Sequence, residues 1–251
     1  MHIELLKLGP ITINSFGFMV AIGFVAAMLV GIYRAPKYGL DKDLVMDLGI
    51  VCLVCGFIGS KILYIIVEFQ AIMESGNILS YLTNGFVMYG GIIGGTLSFI
   101  VYCKIKKASP LKYSDLILPS VAIAQGFGRI GCFLAGCCYG RETDSVLGVI
   151  YPVNSIAPSG IKLLPTQLFS SAGDFVLAAV LIFVAARKPK DGVVSGLYCI
   201  LYGVGRFIIE IFRNDPRGNV GALSTSQFFS IFAVVVGVII LAAGSRKTAQ
   251  A

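Results

Sequence analysis

Seven runs of apolar residues, at roughly 14–33, 44–67, 86–103, 115–137, 166–186, 193–212 and 224–244, each come close to the ~20 residues that carry a helix across a hydrocarbon layer. A chain of 251 residues that is 57% hydrophobic and 13% charged, with a mean hydropathy of +0.87, lacks the polar surface a soluble domain of this size would need. The bilayer is therefore its solvent. The expected fold is an all-α membrane protein, a bundle of about seven transmembrane helices forming one domain over residues 1–251. The fourth run is predicted to be partly broken, because Pro119, Gly126, Gly128 and Gly131 favour a half-helix followed by irregular backbone. The first run follows Lys7 alone and precedes Arg34 and Lys37, so it reads as a retained span rather than a cleaved leader.

Basic residues cluster in alternate loops. Arg34, Lys37 and Lys42 follow the first run, Lys104, Lys106, Lys107 and Lys112 the third, Arg187, Lys188 and Lys190 the fifth, and Arg246 and Lys247 the seventh, which is twelve of the twenty lysines and arginines. An odd number of spans with this bias predicts an external amino terminus and a cytoplasmic carboxyl terminus. The net charge of +7 is distributed at span ends rather than along one polar face, which argues for anionic lipid and against nucleic acid as its counterpart.

The seven cysteines imply no disulfide framework. Cys52, Cys55, Cys103 and Cys199 lie in apolar runs, where a thiol behaves as a small hydrophobe, and the Cys52-Cys55 pair has no neighbouring cation to stabilise a thiolate. Cys132, Cys137 and Cys138 form a C-x4-C-C pattern without a second ligand pair, and the one histidine is His2, so no metal and no cofactor is expected.

Charges inside the apolar runs carry the functional information, since each costs on the order of 3 kcal/mol at mid-bilayer. Asp47, Lys61 and Asp174 read as structural, through span-end snorkelling or interior polar partners. In the stretch from Tyr202 to Arg213, helical spacing puts Tyr202, Arg206, Glu210 and Arg213 on one face. That series is either an intrahelical pair with an interfacial anchor or part of a functional site. Around Arg129 and Arg141, glycines recur at Gly126, Gly128, Gly131, Gly136 and Gly140. Backbone amides there can approach an anion while guanidinium forks grip its oxygens, which favours a phosphate site over simple close packing. Gly90, Gly91, Gly94 and Gly95 read as close helix packing.

At these motifs the sequence resembles the prolipoprotein diacylglyceryl transferase family. The stretch from Gly128 to Arg141 is similar to the family signature and the Tyr202 to Arg213 face to a later motif; Tyr89 to Gly94, Pro165-Thr166-Gln167-Leu168 and Leu223 to Gln227 add similarity in the same order along the chain. The resemblance implies transfer of the diacylglyceryl group of phosphatidylglycerol to the thiol of a lipobox cysteine in a secreted preprotein, at the bacterial cytoplasmic membrane. It implies that Arg129 and Arg206 hold the lipid phosphate, that Glu210 orients Arg206, and that Tyr89 serves as the fourth catalytic position. Gly128, Gly131, Cys132, Cys137, Gly140, Arg141, Gln167, Tyr202 and Arg213 are the implied substrate-binding positions.

Several positions depart from the family pattern. Tyr89 stands where histidine is usual, Cys132 and Ala135 where asparagines are usual, Cys137 where glutamate is usual, and Phe16 in place of a tyrosine. A tyrosine with a pKa of about 10 is a poor general base at neutral pH. Either the acceptor thiol, with an intrinsic pKa of about 8.5, needs little help, or the chain serves another acceptor, with Cys137 or Cys138 as a nucleophile in one such variant. A small-anion transporter would use similar arginines but should show repeated halves with paired broken helices, which the sequence lacks. A scaffold would have little use for three arginines and a glutamate at one depth.

Overall fold

The structure is a computed structural model that describes residues 3–8, 11–75, 81, 85–215 and 218–249; His2 lies outside the described residues. Eight α-helices follow one another among them: α1 (Ser15–Arg34), α2 (Lys42–Val67), α3 (Phe69–Ser75), α4 (Met88–Ile105), α5 (Pro110–Ala135), α6 (Thr166–Ala186), α7 (Val193–Phe212) and α8 (Thr225–Ala249). All but the short α3 are long and apolar enough to cross a membrane, so the seven apolar runs are seven helices. Exposure is inverted relative to a soluble protein: Leu29, Phe57 and Ile239 are open while Gln167, Asp174 and Glu210 are buried. That is the pattern of a multi-pass membrane protein whose polar groups must find partners inside.

The chain forms two compact units, Ala35–Tyr113 and the remainder. In the smaller unit α2 packs on α4 through facing glycines. A Cβ on Gly94 would stand 2.6 Å from the Cys55 carbonyl oxygen, and Gly59 and Gly90 meet backbone to backbone, as small-residue packing in membranes requires. Asp47 accepts a hydrogen bond from the Tyr102 hydroxyl at 2.9 Å with Lys106 at 3.9 Å, and Lys61 donates to the Tyr81 and Gly85 carbonyls at 2.7 and 3.1 Å. Tyr89 is half-buried in the first turn of α4 in this unit.

In the larger unit the expected break in the fourth span does not occur: α5 runs without interruption from Pro110 to Ala135 with Pro119 inside it. Its glycines admit neighbours instead of ending the helix. A Cβ on Gly126 would stand 2.9 Å from the Phe175 ring of α6, and one on Gly131 3.2 Å from the Phe16 backbone of α1. Buried Arg34 at the end of α1 donates to the Leu116 carbonyl of α5 at 2.8 Å, tying the two helices together one turn before Pro119. Irregular backbone begins only at Gly136, with φ +74°, and continues to Cys138 at φ +61°.

The helix that carries Arg206 is fixed at its start by a carboxylate from another helix. Asp115 of α5 accepts from the Gly192 and Ser195 amides at 2.6 and 2.7 Å and from the Ser195 hydroxyl at 2.5 Å, capping amides that α7 cannot satisfy itself. At the opposite end, three short hairpins close the connections: β1 (Glu4–Leu8) with β2 (Ile11–Asn14), β3 (Val149–Ile150) with β4 (Lys162–Leu163), and β5 (Asn219–Val220) with β6 (Leu223–Ser224). Replacing Asp115 by Ala should cost about 1–2 kcal/mol, the usual loss for an N-cap; a melting temperature in detergent equal to wild type would show that the cap does not hold α7.

Candidate anion site

On α7 the four polar positions form a connected face. Glu210, whose side chain is fully buried, accepts from Arg206 Nη2 at 2.9 Å and faces Arg213 Nη1 at 3.4 Å through the same Oε2, while its Oε1 accepts from the Ser224 hydroxyl at 2.9 Å. Arg206 Nη2 also reaches the Ser226 hydroxyl at 3.0 Å, at the start of α8. Arg213 forms a fork with Asp215, Nε to Oδ1 at 2.9 Å and Nη2 to Oδ2 at 2.6 Å. The Asp215 fork raises the affinity of Arg213 for its proton against the opposing effect of burial. The two arginines therefore differ: Arg213 is gripped on every nitrogen, whereas Arg206 Nη1 is buried with no hydrogen-bond partner among the described residues.

Arg129 arrives from α5. Its electrostatic surroundings are Tyr202, Cys132, Cys138 and Asp174, and the charge of Arg206 acts on it in turn. Among the described residues it makes no hydrogen bond or ion pair within contact distance. Asp174 of α6, buried, senses both Arg129 and Arg206 and balances part of their charge without touching either. One wall is aromatic: Tyr202 stacks on Tyr198 with ring centroids 5.6 Å apart, and the Tyr198 hydroxyl donates to Gln125 Oε1 at 2.9 Å. Two guanidinium groups with unused donors, in mutual electrostatic reach inside an apolar unit, can hold an oxyanion that supplies the missing acceptors.

The segment after α5 is a strap held on both edges. The Gly140 amide donates to the Leu164 carbonyl, the Arg141 amide to Phe212, the Leu164 amide to Arg141 and the Asn214 amide to Tyr139, at 2.9, 3.0, 2.9 and 3.2 Å. Arg141 lies exposed, with Nη2 on the Ile211 carbonyl and its guanidinium over the Phe212 ring. A Cβ at Gly140 would stand 2.7 Å from the Leu164 carbonyl oxygen, so only glycine lets the strap pass. Gln167 is buried and uses both ends of its amide, donating to the Cys137 carbonyl at 2.7 Å and accepting from the Tyr151 hydroxyl at 3.1 Å. Thr166 donates to the Cys138 carbonyl at 2.8 Å. This bracing gathers the Cys132, Cys137 and Cys138 sulfurs within 4.8 Å of one another. Hydrogen bonds from the other two thiols, then the Arg213 and Arg129 charges, hold the Cys138 thiol low; at Cys137 the hydrogen bonds with Cys132 and Cys138, then burial, push the thiol up.

Of the positions singled out from sequence, Arg206 and Glu210 are in contact, Tyr202 and Cys132 lie within electrostatic reach of Arg129, and Arg129 and Tyr202 within that of Arg206. Gly131 packs on α1, and a Cβ on Gly128 would meet open space. Arg141, Arg213 and Gln167 are engaged with protein groups rather than turned to an open site. Sequence reasoning passed over Gln125, Tyr198 and Asp215, neutral or loop residues whose spacing carries no charge pattern, placed Ser224 and Ser226 in a stretch of family similarity without a role, and took Asp174 only as structural.

Fold and site together define a multi-pass membrane protein with a pair of incompletely satisfied guanidinium groups among its helices. A model of the prolipoprotein diacylglyceryl transferase family matches residues 4–243. The chain is 48% identical over 236 residues to phosphatidylglycerol–prolipoprotein diacylglyceryl transferase of Clostridium tetani, covering 94% of this chain and 95% of that protein. It is 45% identical over 242 residues to a second such enzyme from Clostridium perfringens, with 96% and 94% covered, and 31% identical over 232 residues to that of Finegoldia magna, with 92% and 90% covered. The chain belongs to the prolipoprotein diacylglyceryl transferase family, and is thus a membrane transferase.

Replacing Glu210 by Gln removes the buried charge facing two arginines and should cost roughly 3–5 kcal/mol, the usual penalty for stranding a buried ion. Ser224→Ala, which deletes the hydrogen bond to the same carboxylate and the one the Ser224 hydroxyl accepts from the Gln227 amide, should cost about 1.5–3 kcal/mol. Thermal unfolding of both variants in one detergent checks the order, and equal losses would contradict the network.

Proposed function

We propose that this chain transfers the diacylglyceryl group of phosphatidylglycerol to the thiol of a lipobox cysteine in a secreted preprotein, both units serving one transferase domain. The names of the relatives from Clostridium tetani and Clostridium perfringens support the lipid and the prolipoprotein acceptor. The observation that carries the reading is the pair of incompletely satisfied guanidinium groups, Arg206 with a buried unpartnered Nη1 and Arg129 without a contact ion pair among the described residues.

In this reading the lipid phosphate sits between Arg129 and Arg206. The acceptor sulfur attacks the glycerol carbon that bears the phosphate, the carbon–oxygen bond breaks, and its electron pair leaves with glycerol phosphate. The phosphate gains a negative charge in that step, so the two guanidinium groups bind the transition state more strongly than the ground state. Glu210 fixes Arg206 in place, Tyr202 lines the site, and Arg141, Arg213 and Gln167 hold the strap and the end of α7 around it. The charge bias of alternate loops supports an external amino terminus and a cytoplasmic carboxyl terminus in the bacterial cytoplasmic membrane.

Purified protein incubated with phosphatidylglycerol and a lipobox peptide should give peptide heavier by one diacylglyceryl group. Arg129→Gln and Arg206→Gln should each lower turnover by about a hundredfold or more, the scale of losing a donor to a developing oxyanion. Unmodified peptide with the wild-type protein, or undiminished transfer by either variant, would refute the reading.

A further inference from the structure

The Cys132, Cys137 and Cys138 thiols are not needed to grip a phosphate, and two of them replace polar residues of the family pattern. Their sulfurs lie within 4.8 Å of one another. Around a zinc-class ion with bonds of about 2.3 Å, tetrahedral geometry places sulfurs about 3.8 Å apart, so closure requires movements of about 1 Å. The cluster is held by its backbone. Cys138 is kept in the left-handed region, the Cys137 amide donates to the Cys132 carbonyl at 3.1 Å, and the Gln167 and Thr166 side chains fix the Cys137 and Cys138 carbonyls.

We propose that Cys132, Cys137 and Cys138 bind one divalent zinc-class ion through three thiolates and that the acceptor cysteine takes its fourth position. This rests on the transferase reading above for the acceptor, while the metal site stands on the thiols alone. Soft sulfur donors select this class of ion over magnesium or calcium. Three protein ligands with one open position are the arrangement of catalytic rather than structural zinc. A divalent ion with three thiolates carries a net charge of −1, and Arg129 and Arg213 both act electrostatically on Cys138. Cys132 is three residues beyond Arg129 on α5, so ion and phosphate sites are one helical turn apart.

A thiol that coordinates such an ion loses its proton outright. The ion would thus supply the acceptor activation for which Tyr89 is poorly suited. The acceptor S–H proton passes to the solvent or the departing glycerol phosphate. The metal-held sulfur forms the new S–C bond as the C–O bond breaks, and the ion remains divalent throughout.

Cobalt(II), added under anaerobic reducing conditions to purified full-length protein, tests the site directly. One ion per chain with intense sulfur-to-cobalt charge-transfer absorption is expected, lost in Cys137→Ser and in Cys132→Asn, the latter carrying the residue usual in the family and checked for folding by its melting temperature. A lipobox peptide should move the visible bands towards those of a four-sulfur site, and a peptide with serine in place of cysteine should not. Stripping zinc with a chelator should lower transfer about a hundredfold, the scale of losing base assistance, and zinc should restore it. Absence of stoichiometric cobalt, bands that survive the cysteine changes, no response to the thiol peptide, or full transfer by stripped protein would each overturn the proposal. Cobalt bands and the peptide response without diacylglyceryl transfer would instead leave the metal site in place and remove the transferase reading.

Discussion

A guanidinium group inside an apolar protein must have its donors occupied, and this structure meets that demand unequally. Arg213 is bound by a fork to Asp215 and shares Glu210; Arg206 keeps Glu210 and Ser226 but leaves Nη1 unmatched; Arg129 has Tyr202, Cys132, Cys138 and Asp174 around it but no hydrogen bond or ion pair among the described residues. The gradient runs from an arginine satisfied by protein groups to one with no contact partner among the described residues. Desolvation makes each unmatched donor costly without a ligand and strongly favourable with one, which is how a phosphate can be selected in a medium that repels charge.

Precision in that site comes from the ends of α7. Asp115 fixes its first turn from α5, and at the far end Arg141, Asn214 and the Glu210 network fasten the last turn to the strap. Arg206 thus sits on a helix anchored at both termini, with Ser224 and Ser226 locking the carboxylate and guanidinium orientations. The strap that anchors α7 also carries two of the three thiols, Cys137 and Cys138, so the α7 anchor and this part of the thiol cluster are positioned by hydrogen bonds from the same stretch, Leu164, Thr166 and Gln167.

Much of this was legible in the chain. The seven apolar runs became seven helices because membrane-spanning length is a physical requirement that composition records directly. Arg206, Glu210 and Arg213 could be placed together because helical spacing decides it, and the glycines of α4 read correctly as packing. The break anticipated in the fourth span failed, since in a membrane helix Gly126 and Gly131 serve close approach to Phe175 and Phe16 rather than termination. Asp115 and Asp215 were not recognisable, and Ser224 and Ser226 stood in a similar stretch without a role, because what these residues do depends on which helix end lies opposite. The thiol cluster was hidden as well: a C-x4-C-C spacing on an ideal helix would not converge, and it is the turn at Gly136 and Cys138 that folds the sulfurs together.

The central claim is that Arg129 and Arg206, from separate helices, act on one phosphate as a unit. A double-substitution cycle on kcat/KM for phosphatidylglycerol, with Arg129→Gln, Arg206→Gln and the pair, measures this most directly. If both grip the same group, the double variant should be little slower than the worse single one, because the first loss already releases the phosphate from its aligned position. Losses that multiply in full would mean that the two arginines work independently, and the shared site would be contradicted.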